Sequence, residues 1–340
     1  MLGVDDSDRR SSPSRRAVLA GPFVAAAALA GALLATGAAG VPLRDPGGVT
    51  LRRFAVAVGL AAVLVLADLA VRATRGRRRP RWTRGQALAV VAAIVSFHVT
   101  YFAYRNVKSV VPLLSPGELH DRWLGELERD AFGAEPAALL HSLLGTGVSA
   151  HVLSAVYLLF FAFVPVALTA ALVCSTKLES GLFFATALAL NWVLAAISYR
   201  LLPALGPIYA DPGAFADLPA TGVSRLQETL LEQRTAFLRD PAAAGAAQSI
   251  GAFASLHTSL YFTAAVAARL LGYPRAVQAA LWTGLIGTAT ATIYFGWHYV
   301  ADDLAGVLIG AMALALASVL TGRAPRAARR SLTLPSTSPA

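Results

Sequence analysis

The chain has 340 residues, of which 56% are hydrophobic and only 14% charged, and its mean hydropathy of +0.59 is far above that of soluble globular domains. These values describe an integral membrane protein, all-α if its apolar segments cross the bilayer as helices. Cys174 is the only cysteine, which excludes an internal disulfide framework and any site built from several cysteines, so chemistry must come from His, Asp, Arg and Ser.

The formal net charge is +10, from 29 Lys and Arg against 19 Asp and Glu. The arginines gather beside apolar segments: Arg9, Arg10, Arg15 and Arg16, then Arg72 to Arg84, then Arg323 to Arg330. Such runs fix orientation in a bilayer. No nucleic-acid recognition motif accompanies them, so the expected partners are the membrane and a substrate within it, not nucleic acid.

A spanning helix needs about 20 mostly apolar residues, and eight segments fit. Residues 1–16 read as a disordered tail. The first span, 17–40, follows Arg15 and Arg16 as a secretory signal would, but its length favours a retained helix. The second, 53–71, is followed by a basic loop to residue 85, with Asp68 paired to Arg72 at i+4. The third covers 86–104. The connection Ser115–Gly147 contains SPGELHDRWLGELERDAFG, where Leu119, Trp123, Leu124 and Leu127 make an apolar stripe with acids and Arg opposite, as in an interfacial helix. Spans four and five, 148–174 and 181–203, lead to a second long connection, Gly206–Gly251. It opens with GPIYADPG and carries a helix, SRLQETLLEQRTAFLRD, ended by Pro241. Spans six to eight cover 254–271, 275–295 and 299–321, and residues 322–340 again read as disordered.

Letting these spans alternate from a cytoplasmic N-terminus puts 18 of the 29 basic residues on the cytoplasmic side. Eight spans and the charge bias agree on one topology, with both termini cytoplasmic in a cell membrane.

Polar groups at membrane depth are costly and are candidates for function. In GWHYVADDLAG, Asp302 follows His298 at i+4, placing a carboxylate where it can orient one imidazole nitrogen and leave the other basic. A helix-start ion pair gives the same spacing. Asp303, about 100° away, reads as interfacial or capping. A second signal lies in GAFASLHTS, where Ser255 and His257 open the sixth span on the same side as His298. Backbone N–H groups at such a start, assisted by Ser255, suit a phosphate oxygen. Of the other histidines, His98 and His151 read as satisfied within helices and His120 and His141 as surface, while Asn191 suits helix packing.

The SLH and HYxxD pair, preceded by a polar helix end with Arg and Pro, resembles the type 2 phosphatidic acid phosphatase superfamily. It is most similar to the inositolphosphotransferase branch, which includes inositol phosphorylceramide synthase. The resemblance covers residues 86–321 and implies a six-helix core, with residues 17–85 as two added helices and a basic loop. It further implies that His298 is a nucleophile forming a phosphohistidine, oriented by Asp302, and that His257 protonates the leaving oxygen and then activates water or a polyol acceptor. Ser255 would hold phosphate oxygens. The implied activity is hydrolysis or transfer at a lipid phosphate on the external leaflet, with no metal or cofactor.

The chain departs from the general pattern in three places. Its first motif reads NWVLAAISYRLLPALGPIY, with Arg200 and Pro203 but no Lys. Thr292 stands where the superfamily has an Arg, as in the inositolphosphotransferase branch, and Ala254 replaces that branch's Pro before SLH. Arg200 and Tyr199 are therefore assigned to phosphate binding, with Tyr209, Arg225, Arg234 and Arg239 as unranked additions. Two other classes remain open: a metal-dependent hydrolase using His257, His298 and Asp302 as ligands, and a transporter or scaffold without phosphate turnover.

Overall fold

A computed structural model describes residues 12–74, 82–243 and 245–323. Most of both terminal tails, and residues 75–81 of the basic loop, lie outside the described residues. Those described form helices and connections without strands: α1 (Arg15–Ala38), α2 (Val49–Thr74), α3 (Arg84–Leu114), α4 (Asp121–Phe132), α5 (Pro136–Leu144), α6 (Val148–Cys174), α7 (Leu178–Leu201), α8 (Pro207–Ala210), α9 (Gly222–Arg239), α10 (Leu256–Leu271), α11 (Arg275–Tyr294) and α12 (Val300–Thr321). Among them, α1, α2, α3, α6, α7, α11 and α12 are long and apolar enough to cross a membrane. The sixth expected span becomes α10, which at 16 residues is shorter than a full crossing.

Helix starts follow their sequence signals. Ser14 Oγ accepts from the Ala17 N–H at the head of α1. Thr83 and Gln86 close a capping box on α3, and Thr221 and Ser224 do so on α9. The α9 helix ends at Arg239, before Pro241, as its sequence requires. The third span, expected to stop at residue 104, runs on to Leu114. Residues 105–114 thereby belong to a helix.

The centre of the molecule is α7, buried along most of its length and packed by α1, α3, α6, α10 and α12. Because lipid is as apolar as these side chains, association depends on close packing and internal hydrogen bonds. Asn191 supplies one such bond, donating to Thr263 Oγ1 at 3.0 Å, and it accepts from Ser259. Helix α12 approaches α10 through Gly306 and Gly310. A Cβ at Gly306 would meet the Ser255 carbonyl, and one at Gly310 the Ser259 carbonyl. His98 donates to the Ile94 carbonyl at 2.7 Å between Phe54 and Phe97, in agreement with a structural role. His151 is exposed. His141 is not a free surface residue; its Nε2 donates to the Tyr294 carbonyl at 2.8 Å.

Helix α4 forms within the expected amphipathic stretch. Leu119, Trp123 and Leu127 are exposed, whereas Asp121, Leu124 and Glu128 turn inward. The physical reason is a set of backbone donors. Asp121 accepts from the Leu205 and Gly206 N–H groups at 3.0 and 2.8 Å, and Glu128 accepts from Val300 at the start of α12. The pair Asp68–Arg72 forms as expected, at 3.0 Å.

Candidate active site

Two helix starts carry the two histidines. After α11, the chain turns through Gly296, whose φ of +65° disfavours any side chain. The Trp297 and His298 N–H groups then donate to the Thr292 carbonyl at 2.9 and 3.3 Å. His298 thus precedes the α12 cap, and its link to Asp302 arises because Asp302 reaches back. Asp302 Oδ2 accepts from the Tyr299 N–H at 2.9 Å and from His298 Nδ1 at 3.3 Å. A carboxylate at the third helical position suits the positive end of a helix and fixes the imidazole's tautomer. Burial holds the His298 imidazole down at about 4, against the opposing pull of the Asp303 carboxylate and with a further lowering from Lys108. The ring is therefore neutral near pH 7, with the nitrogen opposite Asp302 available as a nucleophile.

His257 is the second residue of α10, behind the cap formed by Ser255 Oγ on the Thr258 N–H at 3.4 Å. Its ring packs between Tyr157 and Phe160, with centroids at 4.6 and 4.2 Å, and lies 5.9 Å from the His298 ring. Both nitrogens are buried with no hydrogen-bond partner. An unsatisfied buried polar atom is costly, and this one ring carries two. The two rings line one cavity of about 350 Å³ with Tyr157, Trp192, Tyr199, Arg53 and Lys108. The starts of α10 and α12 are joined directly, by the Ser255 N–H donating to the Asp302 carbonyl at 3.0 Å.

Asp303 is not the interfacial residue expected from its angle to Asp302. It is buried beneath the site and accepts from Thr258 Oγ1 at 2.6 Å and Thr292 Oγ1 at 3.1 Å. Thr292 thus has two roles: its carbonyl holds the His298 turn, and its hydroxyl anchors α11 to α12.

Of the expected substrate-binding residues, Tyr199 lines the cavity and Arg200 does not. Successive helical residues point about 100° apart, so only one of the pair faces inward. Arg200 lies exposed on the outer side of α7, beside a groove lined by Ala27, Gly31 and Ile197. Ser255 is fully buried, its hydroxyl engaged in capping and its N–H on Asp302. The cationic residues lining the cavity are Lys108, whose Nζ lies 4.4 Å from the centre of the Tyr199 ring, Arg53, and Arg105, which is paired with Asp45 at 2.6 Å. The sequence contained a signal for the first, since Lys108 is one of only two lysines in an arginine-rich chain. Arg234 lines a neighbouring cavity that shares Lys108 and Tyr199.

No curated protein and no solved structure matches the chain. Residues 122–316 match the family model of the PAP2 superfamily, a segment running from the start of α4 into α12 and containing His257, His298 and Asp302. Since that segment is more than half of the chain, and holds the paired histidines just described, the protein belongs to the PAP2 superfamily.

Proposed function

We propose that the protein is a multi-pass lipid-phosphate phosphatase or phosphotransferase working through a phosphohistidine on His298. Membership of the PAP2 superfamily makes it a phosphatase- or phosphotransferase-type membrane protein. The observation that carries the finer reading is the pairing of a neutral, carboxylate-oriented His298 with an unpartnered His257, their rings 5.9 Å apart. That interval accommodates a phosphorus atom between nucleophile and proton donor.

In this reading His298 attacks phosphorus through the nitrogen opposite Asp302, forming an N–P bond as the P–O bond to the leaving group breaks. His257 donates its proton to that oxygen and recovers one from the incoming water or alcohol, whose oxygen displaces His298. Lys108 and the free N–H groups at the α10 start oppose the charge that grows on the phosphoryl oxygens. Phosphatase and transferase share every reacting residue. SLH and the neutral Thr292 favour the inositolphosphotransferase branch.

The accompanying topology has eight crossings, α10 among them, with both termini cytoplasmic and the histidines at the external leaflet of a cell membrane. The excess of basic residues beside the expected cytoplasmic ends supports it. An acyl or prenyl tail then stays in the bilayer while the headgroup enters the cavity.

The test is release of inorganic phosphate from a panel of lipid phosphates by the detergent-purified protein in EDTA, with and without inositol, for wild type and His298→Ala. Chelator-insensitive release that is lost in the variant and unaffected by inositol identifies a phosphatase. Transfer of the phosphoryl group to inositol, giving inositol phosphate and the free lipid alcohol in place of inorganic phosphate, identifies a transferase. Activity surviving His298→Ala would overturn the mechanism.

A further inference from the structure

The groove beside Arg200 lies outside the catalytic cavity and has about the same volume, 350 Å³. It forms where α1, α3 and α7 pack against one another. On α7 its wall is Val193, Ala196, Ile197 and Arg200, a stripe at i, i+3, i+4 and i+7, so the groove runs along the helix. Ile197 and Gly31 stand exposed at the rim, while Ala103 and Ala196 are buried in the floor. A Cβ at Gly31 would meet nothing within 4 Å, so no neighbouring side chain takes up the space.

Apart from Arg200, the polar side chains in the lining are Thr100 and Tyr104. The Thr100 hydroxyl donates to the Ser96 carbonyl of its own helix at 2.9 Å. Water therefore finds few partners in this groove, and an unfilled groove would forfeit the contacts of its lining atoms. In a bilayer the material that fills it is a hydrocarbon chain. Val193 and Arg200 are separated by a rise of about 10 Å along α7, so a chain lying in the groove ends at the guanidinium. Arg200 belongs to the last turn of α7, where a spanning helix reaches the headgroups. It has no ion pair among the described residues.

We propose that this groove binds one phospholipid of net negative headgroup charge, separate from the substrate, with an acyl chain between α1, α3 and α7 and its phosphodiester on Arg200. Charge selects the occupant. Every phospholipid brings a chain and a phosphate, but a zwitterionic one also places a cation near the guanidinium, which opposes binding. Neither histidine lines the groove, so the assignment stands apart from the phospho-transfer reading. Two of its three walls, α1 and α3, precede residue 122, where the family match begins. Tyr104 connects the groove to the catalytic cavity, since it lines both and packs on Trp192 and Tyr199 with centroids at 4.8 and 6.1 Å. The bound chain thereby supports the aromatic wall of the cavity from behind.

The experiment is native mass spectrometry of the full-length protein in detergent, incubated with equal amounts of dioleoyl phosphatidylglycerol and dioleoyl phosphatidylcholine. These probes share tails and differ in net headgroup charge. The first lipid retained should be phosphatidylglycerol over phosphatidylcholine by about fivefold, the preference that one cation at a bilayer surface confers. Arg200→Gln should bring that ratio to within about twofold, whereas Arg200→Lys should keep most of it, which separates lost charge from lost folding. Gly31→Leu, whose side chain enters the open groove, should lower retention of both lipids several-fold. Lys108→Gln, which alters the catalytic cavity and not the groove, should leave the ratio unchanged. Equal retention of the two lipids by wild type, a ratio unaffected by Arg200→Gln, or full retention in Gly31→Leu would overturn the proposal. A preference lost in Lys108→Gln would also overturn it, by moving the lipid into the catalytic cavity. Should Gly31→Leu not fold, the two Arg200 variants decide alone.

Discussion

Asp302 places one carboxylate oxygen on the His298 imidazole and on the Tyr299 N–H while its other oxygen has no partner. Asp302→Asn preserves the shape and a helix-start acceptor but removes the charge that stabilises an imidazolium and fixes the tautomer. We expect kcat for phosphate release to fall by about a hundredfold or more with KM nearly unchanged, as measured by steady-state kinetics. Beneath it, Asp303 and Thr292 act on one another directly, so Asp303→Asn and Thr292→Val should be non-additive. A double-mutant cycle on thermal stability should give a coupling of about 0.5–3 kcal/mol. At this scale the sequence was most informative where partners are close along the chain. His298 and Asp302 are four residues apart, and Ser255 and His257 two. Lys108 was missed, and Asp303 was read as interfacial or capping, because their surroundings come from other helices. With the third span expected to end at residue 104, Lys108 fell in no assigned element and was not weighed, whereas α3 runs on to Leu114 and carries it to the cavity.

Among the elements, α4 shows how an amphipathic helix can carry contacts that its own sequence does not report. Its composition announces an amphipathic helix, but the donors that draw Asp121 and Glu128 inward lie beyond α7 and at the start of α12, where no periodicity within α4 reports them. Burial pushes Glu128 up to about 7, against the lowering pull of the Val300 and Ala301 N–H groups. The folded chain therefore holds this proton more tightly than the unfolded chain, whose value is about 4.5. The resulting stabilisation is complete below about pH 4.5 and is lost as pH rises through about 7. Glu128→Gln retains an acceptor without the titration, so its melting temperature should vary less across that window than wild type's. The contact of α12 with α10 provides a second prediction. Gly306→Val would drive side-chain atoms into the Ser255 carbonyl, so it should destabilise the fold by about 1–3 kcal/mol and reduce phosphate release in the surviving folded fraction. Thermal melts and specific activity check both parts.

For the molecule as a whole, the apolar runs and arginine clusters made the class and nearly all helices legible, since spanning length and flanking charge are properties of contiguous sequence. What they could not convey was which helices pack centrally and which lie outside, because a span enclosed by protein and one bathed in lipid have the same composition. Helix α7 is enclosed and α2 is almost wholly exposed, yet both read simply as apolar runs. The proposed topology is testable with single cysteines after Cys174→Ser. Ser142→Cys, on exposed α5, should react with a membrane-impermeant maleimide in intact cells, and Ser12→Cys only after permeabilisation. The reverse pattern would invert the assigned sides.

The bond from the Ser255 N–H to the Asp302 carbonyl has an evolutionary consequence. It is made by peptide groups alone, so no side-chain replacement at either position deletes it, proline at 255 excepted. Descendants of this chain can exchange the cavity's aromatic lining, its cations or its outer helices while inheriting the same interval between the two imidazoles. New headgroup preferences are then reachable by drift in the periphery, with the reaction itself held constant by the main chain.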